Sequence, residues 1–322
     1  LRDLCAAGRC SGVLALGGSG GMAIALEALL DVPFGIPKTL VSTQTAFIAK
    51  RAVGLKDVLL IPSVGDISGL NSVTRTVLKM AAHATVGALT GGGVQHESNL
   101  PPTLFTSMIG LTTSGVTLVR ETLETAGYEV VTFPATDSGG AAMEELIEPF
   151  GAIGILDLTT VEIADAVVGG TRPAEPSRFE RAGALGIPQV ISLGGLDMVR
   201  FGPPETIPVE FSGRLFHQHT PTVTLMRTSP QEARDIGLTL GERLAKSKGP
   251  VSILVPLGGL SELSVRGGPF RDTEADGELF ASLEETVQPE IPLVRVEADI
   301  NSPEFADHCV QAITRLLDLP KV

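Results

Sequence analysis

The sequence contains no Trp and a single Tyr, and aromatic residues make up only 4% of it. Without stacking platforms, single-stranded nucleic acid is not an expected partner. Cations are scarce as well: 24 Lys and Arg face 37 Asp and Glu, leaving a net charge of −13. A protein that neutralises a phosphate backbone or an anionic membrane needs clustered Lys and Arg, so neither nucleic acid nor membrane is expected. Cys5, Cys10 and Cys309 are an odd number of thiols without metal-ligand spacing, which predicts a reducing, cytoplasmic location and no structural metal. No apolar run reaches the ~18 residues of a membrane-spanning helix. The opening "LRDLCAAGRCSG" also lacks the regions of a signal peptide. Gly-Lys-Ser and Gly-Lys-Thr are missing too, which excludes an ordinary P-loop.

What is present is a 43% apolar composition carried by short runs of Ala, Val, Leu and Ile, in a chain of 322 residues. Such runs alternate with helical patterns, the signature of βαβ units and a mostly parallel sheet. Strands are predicted at 12–16, 38–42 and 58–61. Helices are predicted at 22–30 and from Asn71 to about Leu89. The polar, Gly-rich "TGGGVQHESNLPP" then marks a boundary, giving an N-terminal unit over 1–100 and a C-terminal unit over 101–322. In the second unit strands are predicted at 103–107, 129–133, 152–156, 189–193, 222–226, 251–255 and 293–296. Thr159 with Glu162, and Ser229 with Pro230 and Glu232, read as helix caps. Leu1, Leu4 and Cys5 sit at helical spacing before Gly8, and no Met begins the chain. This predicts that a preceding segment contributes to the first unit.

In a parallel sheet, ligands sit beyond the carboxyl ends of the strands, where helix N-termini present free N–H groups. Gly17-Gly18-Ser19-Gly20-Gly21 follows the first strand and opens a helix, so its backbone can approach a phosphate closely. Gly18-x-Gly20-x-x-Ala23 fits the dinucleotide fingerprint, but no acidic residue ends the next strand to hold a ribose. The competing reading is a tight turn that lets helix and strand pack closely. Ser42, Thr43 and Asn71 would complete the rim of the first pocket. In the second unit Thr112, Thr113, Ser138 and Gly139 form a possible anion cradle. Asp137, Asp157 and Asp197 each follow a predicted strand and suit acid, base or Mg²⁺ roles, against the alternative of helix caps and Asx turns. His217 and His219 point the same way if their segment is extended. Two histidines without a third ligand do not make a zinc site, so His219 is read as a proton-transfer or hydrogen-bonding residue.

Several colinear strings, among them "GVLALGGSGG", "PFGIPKTLVST", "SVGDISGLNSVTR", "EELIEPFGAIGILDLTTVEIAD", "GIPQVISLGGLDMVRFG", "HTPTVTLMRTSPQEA" and "GPVSILVPLGGLS", resemble the tobamovirus-resistance-protein-like ATP-binding family over almost the whole chain. The resemblance implies two Rossmann-like subdomains, the second beginning near Pro102, and ATP binding with or without Mg. In the plant member of the family this region also contacts a viral replication protein. Some relatives fuse the region to a barrel resembling phosphoenolpyruvate-utilising enzymes, which keeps an enzymatic role open. Family members usually begin with a further strand and polar loop that this chain does not include. At "AFIAKRAVGLKD" only Val53-Gly54 and Asp57 keep the family pattern.

Three expectations follow. The first is a nucleotide-binding homodimer with phosphates on Gly18, Ser19, Gly20 and Gly21. The second is an enzyme acting on a small phosphorylated or carboxylated metabolite, with Asp157, Asp197 and His219 gathered in one cleft of the second unit. The third is a protein-interaction module without turnover.

Overall fold

The computed structural model describes residues 1–45, 57–90 and 101–318. The side chains of Ser19, Gly20 and Asp137 lie outside that description, as do most of the "AFIAKRAVGLKD" segment and of the 90–102 boundary. The chain is α/β and divides into two compact units, Leu1–Asn99 and Leu100–Val322.

The first unit runs α1 (Arg2–Ala6), β1 (Val13–Gly17), α2 (Ser19–Leu30), β2 (Lys38–Ser42), β3 (Val58–Pro62) and α3 (Ser72–Thr90). Its three strands are parallel in the order β1-β2-β3, with Gly17, Ser42 and Pro62 in register, so all three carboxyl ends reach one rim. The central β2 is buried along its whole length because both faces are covered. Leu40 packs with Met22, Leu26 and Leu29 of α2, and Val41 packs with Val77 and Ala81 of α3. Lys38 opens β2 with its ammonium donating to the carbonyls of Pro33 and Ile36 at 2.8 and 2.7 Å and pairing with Asp57 at 2.7 Å. Of the fifteen large apolar side chains left exposed among the described residues, twelve belong to this unit.

Among the described residues the second unit contains nine strands. They are β4 (Thr103–Met108), β5 (Glu129–Pro134), β6 (Gly154–Thr159), β7 (Gln189–Gly194), β8 (Met198–Phe201), β9 (Phe216–Thr220), β10 (Val223–Arg227), β11 (Val251–Pro256) and β12 (Leu293–Val296). The helices are α4 (Thr113–Thr125), α5 (Asp137–Phe150), α6 (Val161–Val168), α7 (Glu180–Leu185), α8 (Pro230–Leu244), α9 (Thr273–Thr286) and α10 (Pro303–Leu317). Six strands form a parallel sheet in the order β12-β11-β7-β6-β4-β5. One face buries Leu104, Leu156, Val190 and Leu254 with Val119 of α4 and Ile313 of α10; the other face holds the remaining core. Read from β5, the order is a doubly wound 2-1-3-4-5-6, and its direction reverses between β4 and β6. That reversal is where such sheets leave a crevice.

Here the crevice is covered by the chain itself. Strands β8, β10 and β9 form a separate antiparallel sheet that the sequence pattern did not reveal: the 217–219 segment precedes the expected strand, β10, and is itself part of a further strand, β9. Met198, Val223 and Leu225 of this sheet pack against Leu111, Ala135, Val161, Leu263 and Phe270, which lie in or just after the loops at the strand ends. Arg200 adds a hydrogen bond to the Ala135 carbonyl at 2.6 Å and an ion pair to Asp165 at 2.7 Å. Among the described residues, no helix is long and apolar enough to cross a membrane.

Candidate functional site

At the rim of the first unit, β1 turns into α2 without a connecting loop. A Cβ on Gly17 would lie 2.6 Å from the Met22 nitrogen, so only glycine lets the strand end this close to the helix. The Met22 N–H makes the first intrahelical bond, to Gly18 O at 2.8 Å. The N–H groups of Ser19, Gly20 and Gly21 precede it and have no acceptor within a helix. No side chain caps this helix, and a Cβ on Gly18 or Gly21 would meet nothing within 4 Å. The first unit therefore presents an open, electropositive helix end at its strand rim.

The neighbouring candidates divide by what already occupies them. Thr43 is exposed, whereas Ser42 is buried and its Oγ accepts from the Gln44 N–H at 3.1 Å. Asn71 caps α3, its Oδ1 accepting from the N–H groups of Val73 and Thr74 at 3.0 Å. Between them Val64 adopts φ +63° at 82% exposure, held by a Gly65 N–H to Ser63 O bond of 2.7 Å. A β-branched residue in the left-handed region is strained, and it lies in the loop that leaves β3 at this rim. The depression beside it, lined by Val41, Ser63, Ile67, Thr74, Val77 and Leu78, is too tight to enclose a water molecule and is not a ligand cavity.

In the second unit the β4/β6 crevice holds a closed polar network. Asp157, 1% exposed, accepts from the Ser107 hydroxyl at 2.6 Å and pairs with the Arg178 guanidinium. Arg178 also pairs with Glu162 at 3.0 Å and Glu144 at 3.2 Å. Ser107 in turn accepts from the Thr159 N–H at 2.9 Å, and the Thr159 hydroxyl meets that of Thr112 at 2.8 Å. One buried cation thus faces three buried carboxylates. Burial works against the Arg178 charge, yet Asp157, Glu162 and Glu144 together hold it above the ordinary arginine value. Burial pushes Glu162 up, with Arg178 opposing and Asp157 adding to the shift, and Glu162 Oε2 has no hydrogen-bond partner. Gly140 lets α5 approach, because a Cβ there would sit 2.6 Å from Arg178 Nε.

Glu162 was expected to cap a helix with Thr159. Instead Thr159 ends β6, Thr160 holds the N-cap position of α6, and Glu162 turns inward to Arg178. Ser229 does form its expected capping box with Glu232. Thr113 donates to Ile109 O at 3.0 Å, Ser138 is half-buried, and the Gly139 N–H donates to the Thr136 hydroxyl at 3.4 Å. Among the described residues, no three His, Cys, Asp or Glu side chains are placed to hold a metal ion.

Residues 1–92 match the N-terminal domain, and residues 102–317 the C-terminal domain, of the uncharacterised protein family UPF0261. The chain belongs to UPF0261. It is 42% identical to a UPF0261 protein of Clostridium tetani, covering 96% of this chain and 76% of that protein. A UPF0261 protein of Mesorhizobium japonicum is 39% identical over 96% of this chain and 77% of its own length. The ToMV resistance protein Tm-1(GCR237) of Solanum lycopersicum is 38% identical over 95% of this chain, which spans 41% of that plant protein.

In this UPF0261 chain Asp197 is fully buried in a different network from Asp157. Its Oδ2 accepts from the Ser261 hydroxyl at 2.7 Å, its main-chain carbonyl accepts from Arg227 at 3.0 Å, and Oδ1 has no partner. His219 is exposed on β9, with its Nε2 3.9 Å from where a Cβ of Gly110 would be, while the His217 ring packs edge-on to Phe270. Thr112 and Asp157 therefore share one network, with the Gly139-Gly140 turn of α5 beside it. No hydrogen bond or ion pair among the described residues joins Asp197 or His219 to that network.

Burial lifts the Asp197 carboxyl from the usual 3.8 to about 6, against the opposing effects of Arg227 and Ser261. A carboxyl with a raised folded value keeps its proton longer in the folded chain. Its contribution to stability is complete below about pH 4 and is lost as the pH rises through about 6, a change of about 3 kcal/mol. Asp197→Asn is expected to flatten that part of the stability profile in urea unfolding. Parallel profiles for parent and variant between those pH values would remove Asp197 as the cause.

Proposed function

We propose that this chain binds a nucleotide of the ATP class, with or without Mg²⁺, with its phosphates on the N–H groups of Ser19, Gly20 and Gly21 and with Thr43 at the pocket edge. The observation that carries the reading is the uncapped N-terminus of α2. Asn71 caps α3, and Thr136, Ser229, Asp272 and Ser302 cap α5, α8, α9 and α10. The N-cap residue of α4 does not cap it either, but its Gly115 N–H donates to Asn301 Oδ1 at 3.1 Å, so among the described helices of twelve or more residues α2 alone keeps its first N–H groups free of a side chain and ringed by glycine. Helix N-termini of this kind favour phosphate through both the free donors and the dipole. Catalysis in the second unit is less well supported, because Asp157 and Asp197 are enclosed and largely occupied by internal partners.

Gly21→Asp tests the proposal without threatening the fold. Its Cβ enters open space, and an acidic residue in the first helical turn stabilises a helix by about 0.3–1 kcal/mol. The same carboxylate stands where a phosphate would bind. Calorimetric titration of ATP is expected to show at least a tenfold loss of affinity, about 1.4 kcal/mol, with no fall in melting temperature. Unchanged ATP affinity in the variant, or no binding by the parent at millimolar ATP, would sink the assignment.

Homodimer formation belongs to the same proposal. The apolar side chains exposed on the first unit, with Ile24 at 73% and Met80 at 54%, support a second copy as their cover. Sedimentation velocity at micromolar concentration is expected to show a dimer; a monomer throughout that range would rule it out.

A further inference from the structure

The three carboxyl groups around Arg178 differ in how many donors reach them. Asp157 accepts from the Ser107 hydroxyl with one oxygen and pairs with Arg178 through the other. Glu144 accepts the Phe179 N–H and an Arg178 N–H on Oε1, and the Arg181 N–H on Oε2 at 2.9 Å. Each of these two is solvated as an anion by the protein itself. Glu162 receives one bond, from Arg178 Nε to Oε1 at 3.0 Å, while its Oε2 is buried with no hydrogen-bond partner. Bulk water does not reach it, since the residue is 0% exposed. An ionised oxygen in that position is compensated by neither solvent nor a donor, whereas a neutral carboxylic acid there forfeits only an ordinary hydrogen bond.

The surrounding charges leave that deficit in place. Arg178, just before α7, divides its charge among all three carboxyl groups. Asp157 of β6 repels a further anion at Glu162. Arg200 of β8 also acts on Glu162, but its guanidinium is committed to Asp165 of α6 at 2.7 Å and to the Ala135 carbonyl at 2.6 Å. Arg243 of α8 feels the cluster too, and it donates to the Glu175 carbonyl at 3.2 Å. Among the described residues no three His, Cys, Asp or Glu side chains are placed to bring in a metal ion as the missing positive charge.

We propose that the closed β4/β6 crevice binds a proton at neutral pH, held on Glu162, so that two negative charges surround Arg178 instead of three. Burial raises the proton affinity of this carboxyl, with Arg178 opposing the rise. The unfolded chain releases the proton near the ordinary 4.5 and the folded chain only at a higher pH, so closing the crevice is coupled to keeping it. The stability this contributes is complete below about pH 4.5. It then falls, by about tenfold in the folding constant per pH unit, until the folded chain gives the proton up. The crevice therefore loosens as the pH rises.

Infrared spectroscopy of the whole chain at neutral pH tests this. The parent is expected to show the carbonyl stretch of a protonated carboxyl, which ionised carboxylates lack. Isotopic labelling of the glutamate side-chain carboxyls should shift that band, which separates it from Asp197, and Glu162→Gln should abolish it. Urea unfolding gives a second reading. Glu162→Gln has the shape of the neutral acid, so its folding constant at neutral pH should stay within about tenfold of the parent's or exceed it, and the loss per pH unit should disappear. Glu144→Gln and Asp157→Asn replace satisfied anions and should each lower the constant by about a hundredfold or more. A parent without the band, a band unmoved by the glutamate label, or a band that survives in Glu162→Gln would each overturn the proposal. So would a loss in Glu162→Gln as large as that in Asp157→Asn.

Discussion

Replacing Arg178 with leucine is expected to cost the second unit about 3–5 kcal/mol, because it leaves Glu144, Asp157 and Glu162 in the interior without their cation. Breaking a buried ion cluster on one side is far more damaging than exchanging the whole cluster for apolar groups, since the remaining charges lose their compensation but not their burial. Three carboxylates depend on one side chain here. Arg178→Lys is expected to recover only part of the loss, because an ammonium cannot point donors along the three directions that the guanidinium serves. The loss should shrink in acid, where the stranded carboxylates take up protons, and Asp157→Asn in the Arg178→Leu background should relieve it in part. Denaturant unfolding of the four proteins measures these terms. A loss below about 1 kcal/mol for Arg178→Leu would place it among ordinary surface substitutions and refute the network's role.

The second large effect is expected from Lys38→Met, at about 3 kcal/mol. Lys38 is 2% exposed, and its ammonium satisfies two carbonyls of the turn before β2 as well as Asp57. Methionine fills the volume but removes the charged donor from the half-buried Ile36 carbonyl and from the Pro33 carbonyl, which keeps only the Ile36 N–H at 3.4 Å, and hydrogen bonds to a charged group contribute about 1.5–3 kcal/mol each. Asp57 retains some contact with water and accepts the Gly35 N–H at 2.9 Å, so its share of the loss is smaller. Thermal unfolding followed through the first unit is the measurement. A melting temperature within a degree or so of the parent would show that the turn reorganises to find other donors.

The parallel strands of both units were legible in the sequence because strands covered on two faces read as short, continuous apolar runs. "KTLVS", "VSILVP" and "QVISLG" are buried at every position, and helical segments separate the runs. Their bounds match expectation at β2 and β12 and differ by at most three residues elsewhere, the largest shift being β6, expected at 152–156 and found at Gly154–Thr159. The capping box at Ser229 was legible because its residues are local, spaced by three. The strand "FHQHT" was not, since its half-exposed, polar surface carries no apolar alternation, and its pairing with β10 depends on a partner rather than on its own composition.

By itself the amino-acid sequence determined the α/β class, the parallel strands, the glycine turn that leads β1 into α2 and the family to which the chain belongs. All of these depend on residues close together along the chain. Only the tertiary structure decided the fate of the second crevice. Its polar groups meet across separations of 16, 21 and 34 residues around Arg178, and the antiparallel sheet that covers it is inserted between β7 and β11. Whether an aspartate at the end of a strand faces a ligand or a buried guanidinium is settled by which distant cation the fold brings to it, and local pattern carries no information about that distance.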